Sequence, residues 1–208
     1  MHKSSRWLND GDVGERVIRI EAPENASPQE VYIKNNDNTI YFYADVHTIS
    51  CAETNRLLAE LDLRLQYMKT QFGNDFTPTI HLRVNSNGGS LFDGIAVMDR
   101  IRTLKSQVYT YVEGGAASAA TLITVVGKKR FIGKHSMMLI HQLSSFAQGN
   151  FEQLEDEQAN NRRLMGVIKD VYKTYTKLPM KKLDEILKRD LWLTAQECLE
   201  YGLVDEIL

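Results

Sequence analysis

Three side chains in this sequence have the types and settings that nucleophilic chemistry uses. Ser118 closes the segment GGAAS, between the strand-like run YTYVE and the apolar run AATLITVV. A helix beginning there places unpaired backbone N–H groups and the positive end of its dipole at the serine. A hydroxyl beside oriented donors suits attack on a carbonyl, with the donors holding the oxyanion. Gly114 and Gly115 allow a sharp turn, and Ala116 and Ala117 leave room for a substrate chain. Taken alone, the segment reads more readily as tight helix–sheet packing with a serine cap, and alanines flank the serine where a G-x-S-x-G elbow has x and glycine. His141 ends the apolar run SMMLI, where a lone histidine is more often a satisfied core residue than a base. Asp190, in KRDLW, reads alone as a helix-terminal charge. A fourth segment, Asn85-Ser86-Asn87-Gly88-Gly89-Ser90, lies between a strand and a helix, where paired glycines let main-chain N–H groups approach a ligand.

These segments need a scaffold, and the chain alternates strand and helix patterns to supply one. Residues 39–45, 79–85 and 107–113 are rich in β-branched and aromatic types and read as strands; KRFI and SMMLI read as two short ones. Residues 51–71 carry Leu57, Leu58, Leu61, Leu65 and Met68 at helical spacing, and the apolar period is helical again from Leu91 to Leu104. The alternation predicts an α/β domain with a largely parallel sheet. The spacing then predicts one long helix over 151–177, with a thin stripe of Phe151, Leu154, Met165, Ile168, Tyr172 and Tyr175, and shorter helices near 180–188 and 194–201. A helix so sparsely apolar at its start either stands in solvent or packs on another subunit. Residues 1–30 are polar and read as an arm ahead of a single domain over 31–208.

Composition narrows the function classes. With 208 residues, 43% of them hydrophobic, the chain suits one globular domain. A net charge of −2 with no Lys/Arg-rich stretch argues against nucleic acid as a partner. No apolar run reaches membrane-spanning length, and the first twenty residues lack the pattern of an export signal. Cys51 and Cys198 match no metal or redox spacing and read as reduced thiols of a cytoplasmic protein. The five histidines include no HExxH pair, so no metal site is expected.

Read together, the segments lose their bland character. NSNGGSLFDGIAVMDRI, GGAASAATL, GKKRFIGKHSMMLIHQ and RDLWLTAQECLEYGLVDEIL resemble, in order and context, the Clp protease proteolytic-subunit family, over residues from about 79 to 208. The resemblance implies a spiral β-α superhelix of the Clp protease/crotonase type with a long protruding handle helix. It implies Ser118 as nucleophile, His141 as general base and Asp190 as its orienting partner, with the backbone N–H groups of Gly89 and Ala119 as oxyanion donors. It implies hydrolysis of unfolded polypeptides, without metal or organic cofactor, inside stacked seven-membered rings fed by an AAA+ unfoldase. The sequence departs from the family pattern at Asn87, which stands where proline is usual, and at Leu143–Phe146, which replace a Pro- and Gly-containing stretch. Two alternatives stay open on the residues alone: a crotonase-like acyl-CoA enzyme on the same fold, and a catalytically inactive structural or regulatory relative.

Overall fold

A computed structural model describes residues 32–208; the arm expected over 1–30 lies outside them. The described chain opens with a hairpin, β1 (Tyr32–Asn36) and β2 (Thr39–Tyr43), turned by Asp37 and Asn38. Asp37 sits at φ 53°, a left-handed position that aspartate tolerates in tight hairpin turns. Helix α1 (Thr48–Phe72) follows, then β3 (Thr79–Ser86), α2 (Leu91–Thr103), β4 (Gln107–Ala117) and α3 (Ala119–Val125). Strands β5 (Lys129–Ile132) and β6 (Met137–Leu139) lead to α4 (Phe151–Tyr175) and α5 (Met180–Leu187). The fold closes with β7 (Trp192–Thr194), α6 (Ala195–Glu200) and β8 (Glu206–Ile207).

The sheet runs β1-β2-β3-β4-β5-β8, and every neighbour from β2 onward along that path is parallel. Its alternating pattern buries Ile40, Phe42, Ile80, Leu82, Val84, Val108 and Val112 on one face. Leu57, Leu58, Leu61 and Leu65 of α1, Val97 and Ile101 of α2, and Ile123 of α3 join the same core. Each leucine so removed from water contributes about 1.5–3 kcal/mol. The opposite face carries a half-buried aromatic layer in which Tyr111 stacks on Phe131 at 4.8 Å and Arg83 lies over the Tyr111 ring. Arg83 also pairs with Glu113, which accepts from the Tyr43 hydroxyl.

Strand β4 is the hub. Its first half pairs with β5 (Tyr109 opposite Lys129), and its last three residues pair with β6 (Gly115, Ala116 and Ala117 opposite Met137, Met138 and Leu139). On the other side β3 follows it throughout, with a register shift between Val84 and Ser86 that absorbs Glu113-Gly114-Gly115. Here the fold differs from the sequence expectation. Gly114 and Gly115 do not make the sharp turn: the strand continues through Ala117, and Ser118 alone makes the turn into α3. The small residues serve close packing, since a Cβ on Gly115 would lie 3.3 Å from the Trp192 ring.

The long helix ends at Tyr175, two residues short of the expected 177, with Thr176 as its cap. Its second half docks Ile168, Val171 and Tyr172 into the core, while Phe151 and Leu154 at the start stay exposed, as the thin stripe predicted. Strands β1, β7 and β8 escaped the sequence reading: two or three residues carry too little periodicity to reveal β7 and β8.

The C-terminal segment is held by Arg130. Its guanidinium makes a two-pronged contact with Asp205 (3.0 and 2.5 Å) and donates to the carbonyls of Tyr175 and Gly202. Partial burial pushes the Asp205 carboxyl up, but hydrogen bonds from Arg130 and its charge outweigh this and hold it below the usual carboxylate range. A carboxyl depressed in the folded state contributes stability that is complete above its unfolded value of about 3.9 and is lost as pH falls through the folded value. Asp205→Asn is therefore expected to destabilise by about 1 kcal/mol at neutral pH, the discount reflecting a half-exposed carboxylate, or a few degrees in Tm. At fixed protein concentration, thermal melts should show the gap between parent and variant closing below about pH 4.

Candidate active site

The C-terminal ends of β3, β4 and β6 lie side by side, which is where ligands bind in open α/β sheets. The β3 end leads into Gly88 and Gly89, the β4 end into Ser118, and the β6 end into His141. The Ser118 amide donates to the Leu139 carbonyl at 2.8 Å, extending the β4/β6 ladder by one step. His141 therefore emerges two residues beyond the atom that anchors the serine.

Strand β7 completes the set. It pairs antiparallel with β6, Leu139 opposite Trp192. Continuing that register two steps, forward from Leu139 and backward from Trp192, brings His141 opposite Asp190. Their side chains approach accordingly, with His141 Nδ1 3.6 Å from Asp190 Oδ1. That separation permits attraction between charges but is too long for a hydrogen bond. A backbone bond from Gln142 N to Leu187 O, 2.7 Å, ties the same two segments together just beyond.

Ser118 occupies φ 54°, ψ −127°, a conformation few side-chain-bearing residues adopt, and unlike Asp37 it has no hairpin turn to account for it. Such strain collects at functional sites. Its consequence is visible in the capping: Ser118 is the N-cap of α3, yet its hydroxyl caps no helix N–H. The oxygen usually committed to a cap is left for other work. The next residue, Ala119, opens the helix, so its N–H points out of the helix end.

The glycine turn is clasped from the side. Val46 N donates to Gly88 O at 2.8 Å and Ser90 N to Val46 O at 2.7 Å, which fixes the peptides on either side of Gly89. Gly89 sits at φ 143° with Val46 O where its Cβ would be. Gly88 packs against the serine itself: a Cβ there would lie 2.5 Å from Ala117 O and 2.7 Å from Ser118 Cβ.

A cleft of about 270 Å³ joins these pieces, lined by Gly89, Ser118, Ala119 and His141, with Leu122 and Ile168 on its apolar wall. Four of the five residues singled out from sequence thus meet in one cleft, and Asp190 stands behind the histidine. Serine and imidazole share the cleft without a hydrogen bond between them. Sequence reasoning missed Val46, whose only signal was position after a strand, and Leu139, which acts through its carbonyl and so through no side-chain type.

The class defined by these features is an α/β protein in which Ser118 and His141 share a cleft at the strand ends of a parallel sheet. The Clp protease family model matches residues 53–208, and the chain belongs to that family. It is 32% identical over 131 residues to the ATP-dependent Clp protease proteolytic subunit of Deinococcus radiodurans, a match covering 62% of this chain and 64% of that protein. The fold is shared with a ClpP1 mutant from Listeria monocytogenes, at a TM-score of 0.70 and 24% identity, over 83% of this chain and 91% of the other. The spiral β-α architecture expected from the motifs is therefore the one observed, and the acyl-CoA alternative gives way to the family match.

Gly88→Ala tests how closely the turn and the serine are coupled. The added methyl meets backbone on one side and Ser118 on the other, at a positive φ of 92°. Thermal melts are expected to show a loss of roughly 1–3 kcal/mol.

Proposed function

We propose that the chain is a serine endopeptidase that cleaves unfolded polypeptides inside a ring-shaped chamber. The observation that supports this best is the shared strand register: β4, β6 and β7 carry Ser118, His141 and Asp190 to adjoining positions beside two main-chain donors. In the proposed reaction, Asp190 faces Nδ1 and favours the tautomer with a proton there, leaving Nε2 as the base. Nε2 takes the Ser118 proton as Oγ attacks the peptide carbonyl. The N–H groups of Gly89 and Ala119 hold the oxyanion of the tetrahedral intermediate. His141 then protonates the leaving amine, and water, activated by the same ring, hydrolyses the acyl-enzyme. Every step is acid–base and nucleophilic, so the chemistry needs no cofactor.

Assembly belongs to the same proposal. The first half of α4 leaves Phe151 and Leu154 exposed among Glu152, Glu155, Asp156, Arg162 and Arg163, a surface suited to a self-complementary contact between two-fold-related copies. In the same reading the copies form rings of seven, stacked in pairs and fed by an AAA+ unfoldase, which membership of the Clp protease family supports. The two buried, unpaired cysteines suit a reducing cytoplasm; burial raises Cys51 to about 11 and Cys198 to about 12.

A fluorophosphonate probe followed by peptide mapping tests the nucleophile, and it also separates an active peptidase from an inactive relative. Labelling is expected at Ser118 and absent in Ser118→Ala, which should also lose peptide hydrolysis; in subtilisin, the reference case, removing the nucleophile costs about a millionfold. Asp190→Asn should lower kcat/KM by at least about a hundredfold, whereas a mere surface charge would leave it nearly unchanged. Mass photometry should read seven or fourteen times the mass of the chain, and a monomer that digests folded protein unaided would overturn the chamber.

A further inference from the structure

Tyr172 is a fully buried phenol on α4, and its hydroxyl reaches the Thr121 hydroxyl at 2.6 Å. Thr121 in turn donates through Oγ1 to the Ser118 carbonyl at 2.6 Å, and its backbone N–H reaches the same oxygen at 3.0 Å. A threonine hydroxyl has one proton. With that proton on the Ser118 carbonyl, the Tyr172 hydroxyl must donate to Thr121 Oγ1. The chain of bonds therefore runs in one direction, from the long helix to the nucleophile. Burial raises the Tyr172 hydroxyl well above the ordinary phenol range and keeps its proton in place to donate.

The Ser118 carbonyl belongs to the same peptide unit as the Ala119 N–H. A peptide is planar and trans, so fixing the oxygen on one side fixes the N–H on the other. Ser118 holds a strained conformation with no side-chain cap, and nothing in its own preferences would keep that plane still. We propose that Thr121 and Tyr172 are positioning residues: their hydroxyls lock the Ser118–Ala119 peptide so that its N–H is aimed at the oxyanion formed at Ser118. This inference rests on the serine peptidase reading and deepens it.

A donor that acts on the oxyanion stabilises the transition state rather than bound substrate, so its loosening lowers kcat and spares KM. Removing an oxyanion donor outright costs about 10²–10³ in subtilisin, the reference case, and misaiming one is expected to cost about tenfold. Thr121→Val keeps the shape and removes the relay. Tyr172→Phe removes only its outer hydroxyl. Thr121→Ser restores an oxygen at the same place.

Steady-state hydrolysis of a short chromogenic peptide by the full chain, with Tm and oligomer mass recorded for each variant, is the experiment. Thr121→Val is expected to lose about tenfold in kcat with KM unchanged, Tyr172→Phe about threefold, and Thr121→Ser to recover to within about twofold of the parent. The double variant Thr121→Val/Tyr172→Phe should match Thr121→Val alone, because the tyrosine works through the threonine. Full kcat in Thr121→Val, a loss confined to KM, or a serine variant as impaired as the valine one would overturn the inference while Ser118 labelling left the peptidase reading standing. A parent chain that the fluorophosphonate does not label would overturn both.

Discussion

The hydrogen bond from the Ser118 amide to the Leu139 carbonyl is the constraint on which the site depends. It is the last rung of the β4/β6 ladder, so it sets the serine by the register of a sheet rather than by the conformation of a loop. Positions two residues along β6 and two residues ahead of β7 then follow from geometry, and these are His141 and Asp190. Slipping β6 by one residue would turn every one of its side chains to the other face. Met138 is wholly buried between its neighbours and resists that slip. Placement of Ser118, His141 and Asp190 is thus an outcome of strand register and core packing.

The strain at Ser118 is stable because its surroundings leave no alternative. The amide is held by Leu139, the carbonyl by Thr121, and the Cβ is flanked by Gly88. Gly88 in turn cannot retreat, since Val46 grips its carbonyl. Residues in sparsely populated backbone regions cost roughly 1–3 kcal/mol and persist only when over-determined in this way. The result is a hydroxyl that faces the cleft instead of capping the helix below it.

How much of this could be read in the sequence depends on what each element is made of. The long helices were legible because Leu57, Leu58, Leu61 and Leu65 mark one face, and the thin stripe of α4 correctly foretold its exposed first half. The strands with alternating β-branched and aromatic residues were legible for the same reason. Strand β7 was not, because its identity comes from pairing with β6 and not from WLT itself. The candidate site residues were visible as types in an ordered set of motifs. Their supports were not: Val46 and Leu139 act through backbone atoms, and Thr121 and Tyr172 meet across 51 positions of sequence. The turn around GGAAS was misplaced because small residues satisfy a tight bend and a close-packed strand equally well. Only the contact with Trp192 shows that Gly115 is small for packing.

The parts of the site differ in how firmly they are held, and the order is informative. Ser118 is fixed by backbone bonds inside a packed sheet. His141 is fixed one step less firmly, by the end of β6 and by the neighbouring Gln142–Leu187 bond. Asp190 is 83% exposed and stands 3.6 Å from the ring. At a separation of about 4 Å, two unit charges in water attract by only about 1 kcal/mol, and at a protein surface by about 4 kcal/mol. The pull of the aspartate on a protonated imidazole therefore depends on how much water surrounds the pair. The β6/β7 ladder sets the two backbones so that the carboxylate and the imidazole face each other. Removing water from this edge would strengthen the attraction between the Asp190 carboxylate and a protonated His141.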